Sequence, residues 1–577
     1  MRGFLSTAVL LSISCSAFAR IDYTVRVAQG SDHLDFEMVI PSDGKAVEVQ
    51  IPNWAPGSYR LANNRQFIKD VSAVRSGRKV SVTMAEDGSW VVGGGMSGDV
   101  ILKYARTTGS VTNRMHVTGP AYYLFVKNRI REDCTIKYVL PEKWRTSCGL
   151  NVKGDRYVAP NYDVLADNPV TVGDYISDYY EVEGKKFEIA YFGGDVSNVD
   201  RAKVVDYCTK ISQAESAFWG GLPFDKYVWH FTVLNAADGG WGLEHLSSTT
   251  IGLAQGVGPG TVSVLAHEHF HAWNVKRIRS SVLGPFDYSV LPKTGALWLL
   301  EGVTDYYADL LLYRNIIFDE EYFKRNIISN VQRTRTNAQR FEVSPYDSSY
   351  RVGEAANGQG NSAGFGVNYY NTGWLVGLCL DLEIRDKTGG KESLDDLMYA
   401  LYEQCKNDKP GFAEGDVRKH LVEIGGASLG DFYDTWVMKP GELPVEVQLA
   451  KIGYELQTNN EKFVDAGFVY AWGDDGKMTV VRGTNGANSG FRRGDEVVEI
   501  NGIAQGTTEA EMKTVKEQWS KLIVPGSKLR LKLKRGEEVV DAESAVTEGS
   551  RTNYAVVELG NVSSQMKAMR EKWHLGN

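Results

Sequence analysis

The chain is poor in several features that would narrow its role at once. Its 577 residues hold only six cysteines and no Cys-x-x-Cys spacing, which excludes thiolate metal sites of the finger and ribbon kinds. No run of basic residues exists, and 64 Lys and Arg against 72 Asp and Glu leave a net charge of −8. A nucleic-acid partner therefore has no electrostatic footprint. Beyond the first twenty residues no apolar stretch is long enough to cross a bilayer. Internal repeats and low-complexity tracts are also missing, which argues against solenoids and long disordered linkers. Histidine is scarce, nine in all, yet five of the nine fall between His230 and His271.

What is present suits about three or four domains. Hydrophobic content of 43% and aromatic content of 11% give each a core to bury. At the N-terminus, Arg2, the apolar stretch Phe4 to Ile13 and the small-x-small triplet Ala17-Phe18-Ala19 read as a secretory signal over residues 1–19. Export to the periplasm or the medium is expected, with no integral membrane segment after cleavage. Ser12 is a poor residue before a lipidated Cys15, so soluble export is preferred over a lipid anchor. Cys134 and Cys148 flank strand-like segments and could pair in an oxidising compartment. Cys208, Cys379 and Cys405 sit in helical patterns, and burial is expected for any unpaired thiol.

The histidine cluster carries the chemistry. In His267-Glu268-His269-Phe270-His271 the two outer histidines are four apart and share one helix face. Two neutral imidazoles at that spacing can bind one Zn²⁺, with Glu268 beside it as a general base. Upstream, Thr261 to Ala266 starts an apolar-rich helix. Downstream, Gly295 to Tyr307 is a second apolar helix carrying Glu301 and Asp305, again four apart. Glu301 is the candidate third ligand, and Asp305 is suited to accept the free N–H of a ligating imidazole. Three protein ligands leave a fourth position open, as in catalytic sites. His269 points off this face and reads as structural.

These residues resemble the gluzincin peptidases, and His267 through Arg279 resembles the zinc helix and extension of the M61 family, the glycyl aminopeptidase group. Ser280 stands where the family commonly has proline. The resemblance implies two further site residues. Gly242-Leu243-Glu244-His245 is similar to the segment whose Glu holds the substrate's free amine, with Gly242 beside it. Lys226 to Val233 has strand composition, and a glycine-rich turn follows it, which suits an edge strand leading to the zinc helix. Trp241 stands where the family often has glycine and is expected to narrow the pocket. Tyr370, three residues before Gly373, fits the tyrosine that donates to the oxyanion, with Tyr369 as the fallback. The preceding glycine-rich stretch, 358–366, reads as a flexible loop or connection.

The expected fold class is multidomain. After the signal, residues 20–185 alternate as in Ile21 to Val27 and Lys79 to Met84, and read as an all-β domain. Trp54-Ala55-Pro56-Gly57-Ser58-Tyr59 resembles a family signature expected to shape one wall of the cleft. Residues 186–449 read as a mainly α, thermolysin-like catalytic domain, with helices over Arg201 to Trp219, Asp395 to Gln404 and Asp416 to Ile424. Residues 450–548 resemble a PDZ (α+β) domain through Phe491 to Gly502, with Asn501-Gly502 suited to a tight turn. Asp465-Ala466-Gly467-Phe468 stands where such domains bind a terminal carboxylate, but departs from the pattern in its first two residues. Residues 549–577 read as a tail with a helix from Asn561 to Trp573.

The leading expectation is a zinc aminopeptidase acting on peptides with a free N-terminus, with glycine or alanine preferred by resemblance. A zinc endopeptidase and a peptide-binding envelope protein that captures C-termini through its PDZ domain are the alternatives.

Overall fold

The computed structural model describes residues 20–234, 240–254, 256–356, 368–407, 409–473, 475–483 and 490–576. The signal segment 1–19 and the glycine-rich stretch 358–366 lie outside them. They form two compact units, one running to Tyr454 and resuming at Glu558, the other spanning Glu455–Val557.

The first unit begins with the expected β domain. An eight-stranded sheet packs with a four-stranded and a three-stranded sheet. Inward-facing residues of alternating strands, such as Tyr23 and Val25 or Phe36 and Met38, fill one core. Strand Ile176–Val182, assigned by sequence to this domain, instead pairs with Lys185–Gly193 in the next sheet. Its alternating pattern identified a strand but carried no information about its partner.

That next sheet has five strands in the order Ile176–Val182, Lys185–Gly193, Lys226–Leu234, Ser248–Ala254 and Trp241–His245. The two central pairings are parallel and the outer ones antiparallel. Trp241–His245 is the edge strand anticipated from the sequence. Helices then dominate: Arg201–Trp219, Pro259–Phe270, Val303–Arg314, Glu320–Arg335, Tyr369–Thr388, Leu394–Cys405 and Asp416–Gly425. Pro259 sits in the first turn of its helix, where a missing N–H costs nothing.

The C-terminal helix Ser564–Leu575 belongs to this first unit. Trp573 is buried, and its indole N–H donates to the Tyr306 hydroxyl at 2.9 Å. The helical part of the expected tail is thus integral to the first unit. Among the described residues all five cysteines are free and buried. Cys134 and Cys148 are unpaired and lie on strands of different sheets. No helix among the described residues is long and apolar enough to cross a membrane.

The second unit holds a six-stranded sheet with Phe468–Trp472 at one edge, the helix Glu509–Leu522, and a two-stranded ribbon of Tyr454–Asp465 with Thr547–Glu558. Its core is built on Phe468, Val497, Trp519 and Leu531. It extends past the sequence-based limit of 548, because the ribbon's returning strand runs on to Glu558.

Candidate active site

Helix Pro259–Phe270 buries Val262, Leu265, Ala266 and all of His267 to Phe270. Its apolar residues fix which way the helix rolls, and the histidines follow. His267 and His271 bring their Nε2 atoms 2.8 Å apart. Glu301 Oε2 lies 3.4 Å from the first and 3.3 Å from the second. Glu301 arrives on a π-helical turn, Trp298–Gly302, ahead of helix Val303–Arg314. Such turns recur at functional sites because the extra residue redirects a side chain.

The chemistry of these donors can be tested for a metal. His267 Nδ1 lies 2.7 Å from Asp305 Oδ1, and His271 Nδ1 lies 2.5 Å from the Asn274 carbonyl. The Asn274 carbonyl places the His271 proton on Nδ1, and Asp305 lies at ion-pair distance from His267 Nδ1, an arrangement that leaves both Nε2 atoms to face the Glu301 carboxylate. Three acceptors facing one another call for a cation between them, and this His₂Glu set fits a divalent metal. A proton can stand in for that cation: burial alone would disfavour charge on His267, yet Asp305 and Glu301 raise its pKa well above the ordinary value. Burial also opposes ionisation of Glu301, but the paired imidazoles hold it down at about 2.

Glu268 lies on the other side of His271. One oxygen or nitrogen from each of Glu244, Glu268 and His271 falls within 4.8 Å of the others. Burial pushes the Glu268 carboxyl up to about 7, against the pull of His267 and His271. Its Oε2 atom is buried without a hydrogen-bond partner. An acid–base group with this pKa is matched to proton transfer near neutral pH.

Glu244 projects from the edge strand and is 5% exposed. The neighbouring Gly242 is pressed against Glu268: a Cβ there would lie 2.2 Å from Glu268 Oε1. Gly57, at φ +84°, does the same for Glu244, since its Cβ would meet both carboxylate oxygens at 2.8 Å. The β domain's Trp54–Tyr59 loop therefore abuts the amine-anchor candidate. Trp241 does not narrow the pocket. It faces away from Gly242 across the strand, its ring lies over Gly252, and it is 45% exposed.

Tyr370 stands in the first turn of Tyr369–Thr388, where the Asn368 side chain accepts its backbone N–H at 2.8 Å. Its ring centroid is 6.0 Å from that of His267. Burial, then Glu301, raises its pKa well above the ordinary value, so the phenol keeps its proton as a donor. A glycine pair brings this helix to the site. A Cβ on Gly302 would lie 2.5 Å from Gly373 Cα, so the backbones touch where any side chain would separate them. His269, buried elsewhere, lies 2.7 Å from Glu215 and is structural as expected.

Sequence reasoning gave no role to several supports. Asn274 holds the π turn through Leu299 O at 3.1 Å and Thr304 Oγ1 at 2.9 Å. Lys276 Nζ bridges Asp167 at 2.9 Å and Glu244 at 3.7 Å. Asp309 accepts from Ser263, Tyr322 and Trp374, tying the metal helix to the tyrosine helix. Lys276 and Asn274 follow the metal motif directly and could have been suspected; Asp167 and Asp309 carry no sequence signal.

A His-Glu-x-x-His helix followed by a helix-borne glutamate defines a metallopeptidase of the gluzincin kind. Residues 260–376 match the profile of the M61 glycyl aminopeptidase family, and residues 22–174 match the peptidase M61 N-terminal domain. The chain thus carries the N-terminal and catalytic domains of the M61 family and is a metalloaminopeptidase. A crystal structure of an aminopeptidase N family protein from Idiomarina loihiensis is similar in fold, at 21% identity and TM-score 0.78, covering 96% of this chain and 99% of that one. An M1 zinc metallopeptidase from Deinococcus radiodurans is more distant, at 14% identity and TM-score 0.46, covering 74% of this chain and 95% of that one. No curated protein matches the chain.

Proposed function

We propose that the protein is a zinc aminopeptidase that removes the N-terminal residue of peptides, with a preference for the small residues glycine and alanine. The observation that carries this reading is the closeness of Glu244, Glu268 and His271. It sets a carboxylate able to hold an ammonium one residue's length from the hydrolytic groups. His267, His271 and Glu301 would hold Zn²⁺, which when bound polarises a carbonyl and lowers the pKa of water to about 7. Glu244 anchors the substrate amine and so selects the first peptide bond. Glu268 takes the proton of the attacking water and passes it to the leaving amine. Tyr370 donates its phenolic hydrogen to the developing oxyanion. Asp305 and the Asn274 carbonyl keep both imidazoles in the tautomer that ligates. An exported enzyme, periplasmic or secreted, agrees with the N-terminal segment.

The test pairs aminoacyl anilides with their N-acetylated forms, before and after chelation. Chelator-sensitive cleavage of the free-amine forms alone is expected. Cleavage of blocked internal peptides would replace this reading with an endopeptidase. Glu268→Ala is expected to keep zinc while losing about 10²–10⁴ in turnover, and a variant with normal turnover would sink the mechanism.

The second unit supports a subordinate reading, peptide capture by strand addition to the edge strand Phe468–Trp472. The loop before it is unsuited to a terminal carboxylate, because the Gly467 amide already donates to Asp465 Oδ1 at 2.8 Å. Calorimetry of the whole protein with peptides bearing free or amidated C-termini tests this; tight, carboxylate-dependent binding would contradict the loop geometry.

A further inference from the structure

We infer that a chain of hydrogen bonds from His230 through Thr171, His116, Thr250 and His245 to Asp167 positions the Glu244 carboxylate for the substrate's amine. This deepens the aminopeptidase reading and rests on it. His230 and His245 belong to the sequence's histidine cluster, yet neither the metal nor the proposed proton transfers use them.

Asp167 is where the chain meets the site. It ends the short helix Tyr162–Ala166 of the β domain and grips the edge strand twice. Its Oδ2 accepts the Leu246 amide at 3.0 Å, and its Oδ1 lies 3.2 Å from His245 Nδ1 and 2.9 Å from Lys276 Nζ. Lys276 Nζ is in turn 3.7 Å from Glu244. Glu244 and His245 are neighbours on Trp241–His245 and so face opposite sides of the strand. Fastening His245 therefore fixes the roll of the strand and with it the direction of the Glu244 carboxylate.

Every proton in the chain follows from Asp167. Burial opposes its ionisation, but Lys276 and His245 hold its pKa below the ordinary value, so the carboxylate only accepts. His245 Nδ1 donates to it, and Nε2 of the neutral ring is left as an acceptor. Thr250 Oγ1, 3.3 Å away, gives its one hydrogen to that atom. The same oxygen accepts from His116 Nε2 at 3.1 Å. His116 Nδ1 then accepts from Thr171 Oγ1 at 3.2 Å, and Thr171 Oγ1 accepts from His230 Nδ1 at 2.8 Å. The chain ends at His230 Nε2, a buried lone pair without a partner among the described residues. Reversing the chain would put an N–H at that atom, buried and without an acceptor, which is costly. One polarity is therefore favoured. Burial also keeps His116 and His230 neutral, the former with its pKa lowered to about 3. His116 and Thr171 come from the β domain, whereas His230, His245 and Thr250 come from the five-stranded sheet. The chain thus ties the edge strand to the β domain.

The test uses the full-length zinc enzyme and an alanine anilide. Thr171→Val keeps the shape of the side chain and breaks the chain at its middle; Thr171→Ser keeps the hydroxyl. Thr171→Val is expected to raise KM about fivefold, the share of one buried hydrogen bond, with kcat within about twofold and zinc content unchanged. Thr171→Ser should restore KM. Unchanged KM in Thr171→Val, a fall in kcat alone, or equal loss in both variants would overturn the inference. Should Thr171→Val fail to fold, nitrogen-15 spectra of the natural enzyme's imidazoles decide instead. They should show the proton on Nδ1 of His245 and His230 and on Nε2 of His116, and any other pattern would overturn the inference. N-acetyl-alanine anilide is the control. Its cleavage, or no cleavage of the free-amine anilide by the natural enzyme, would overturn the aminopeptidase reading itself, whatever the imidazole spectra show.

Discussion

Gly242→Ala isolates the placement of Glu268, the proposed general base, from its chemistry. The added methyl would sit 2.2 Å from Glu268 Oε1, 2.3 Å from its carboxyl carbon and 2.4 Å from Cγ, where ordinary contact begins at 3.4 Å. The strand cannot yield easily, because Gly242 is paired with Ile251 and its neighbours Trp241 and Leu243 with Gly252 and Thr250. Glu268 must therefore retreat by about 1 Å, and a shift of that size at a reacting group costs roughly 10²-fold in rate, or about 2.7 kcal/mol of barrier. The three atoms nearest the new methyl all belong to Glu268, so zinc content should stay at one per chain. Gly240→Ala is the control, since its Cβ would meet nothing nearer than 3.6 Å. The assay is kcat/KM on an alanine anilide, with metal analysis and a thermal melt on each variant. Near-normal kcat/KM in Gly242→Ala, or loss equal to that of Gly240→Ala, would refute the steric argument. Lost zinc would show that the crowding reaches the ligands instead.

Other predictions follow from burial. His230 and His269 are fully buried, and burial lowers both pKa values, the latter to about 3. Below the ordinary value of 6.5 the unfolded chain binds protons that the folded one refuses, so their stabilisation is complete above 6.5 and declines as pH falls. At about pH 5.5 each should cost roughly 1.4 kcal/mol, read by urea titration of the wild type against His230→Gln. Trp573→Ala removes an indole that is 2% exposed and its bond to Tyr306; a loss of about 3–5 kcal/mol is expected by denaturant melt, and a change under 1 kcal/mol would mean that the C-terminal helix is dispensable.

The site was legible in the sequence to the degree that its parts repeat along one helix. His267, Glu268 and His271 are set by helical spacing alone, and Glu301 with Asp305 repeats the same four-residue step. The structure brings them together and joins His267 to Asp305 at 2.7 Å. Glu244 and Tyr370 are different. Each lies on its own element, and their approach depends on Gly57, Gly242, Gly302 and Gly373, where the absence of a side chain lets backbones or carboxylates close in. A sequence records that glycine is present but not what it is pressed against. For the same reason Trp241, judged by its place in the motif, was expected in the pocket, whereas strand alternation turns it to the opposite face from Gly242.

The supporting ion pairs were the least legible. Asp167 and Lys276 are 109 positions apart, and their 2.9 Å contact exists only because the β domain packs against the segment after the metal helix. That contact bears on function as well as stability. Lys276 is buried with Asp167 on one side and Glu244 on the other. Removing it would leave the buried Glu244 and the half-buried Asp167 without their shared cation, a loss larger than that of a surface pair. The β domain, through Asp167 and the Gly57 turn, thus helps to hold Glu244, the proposed amine anchor. An isolated catalytic domain should accordingly lose amine selectivity before it loses metal, because His267, His271 and Glu301 all come from helices that the β domain does not supply.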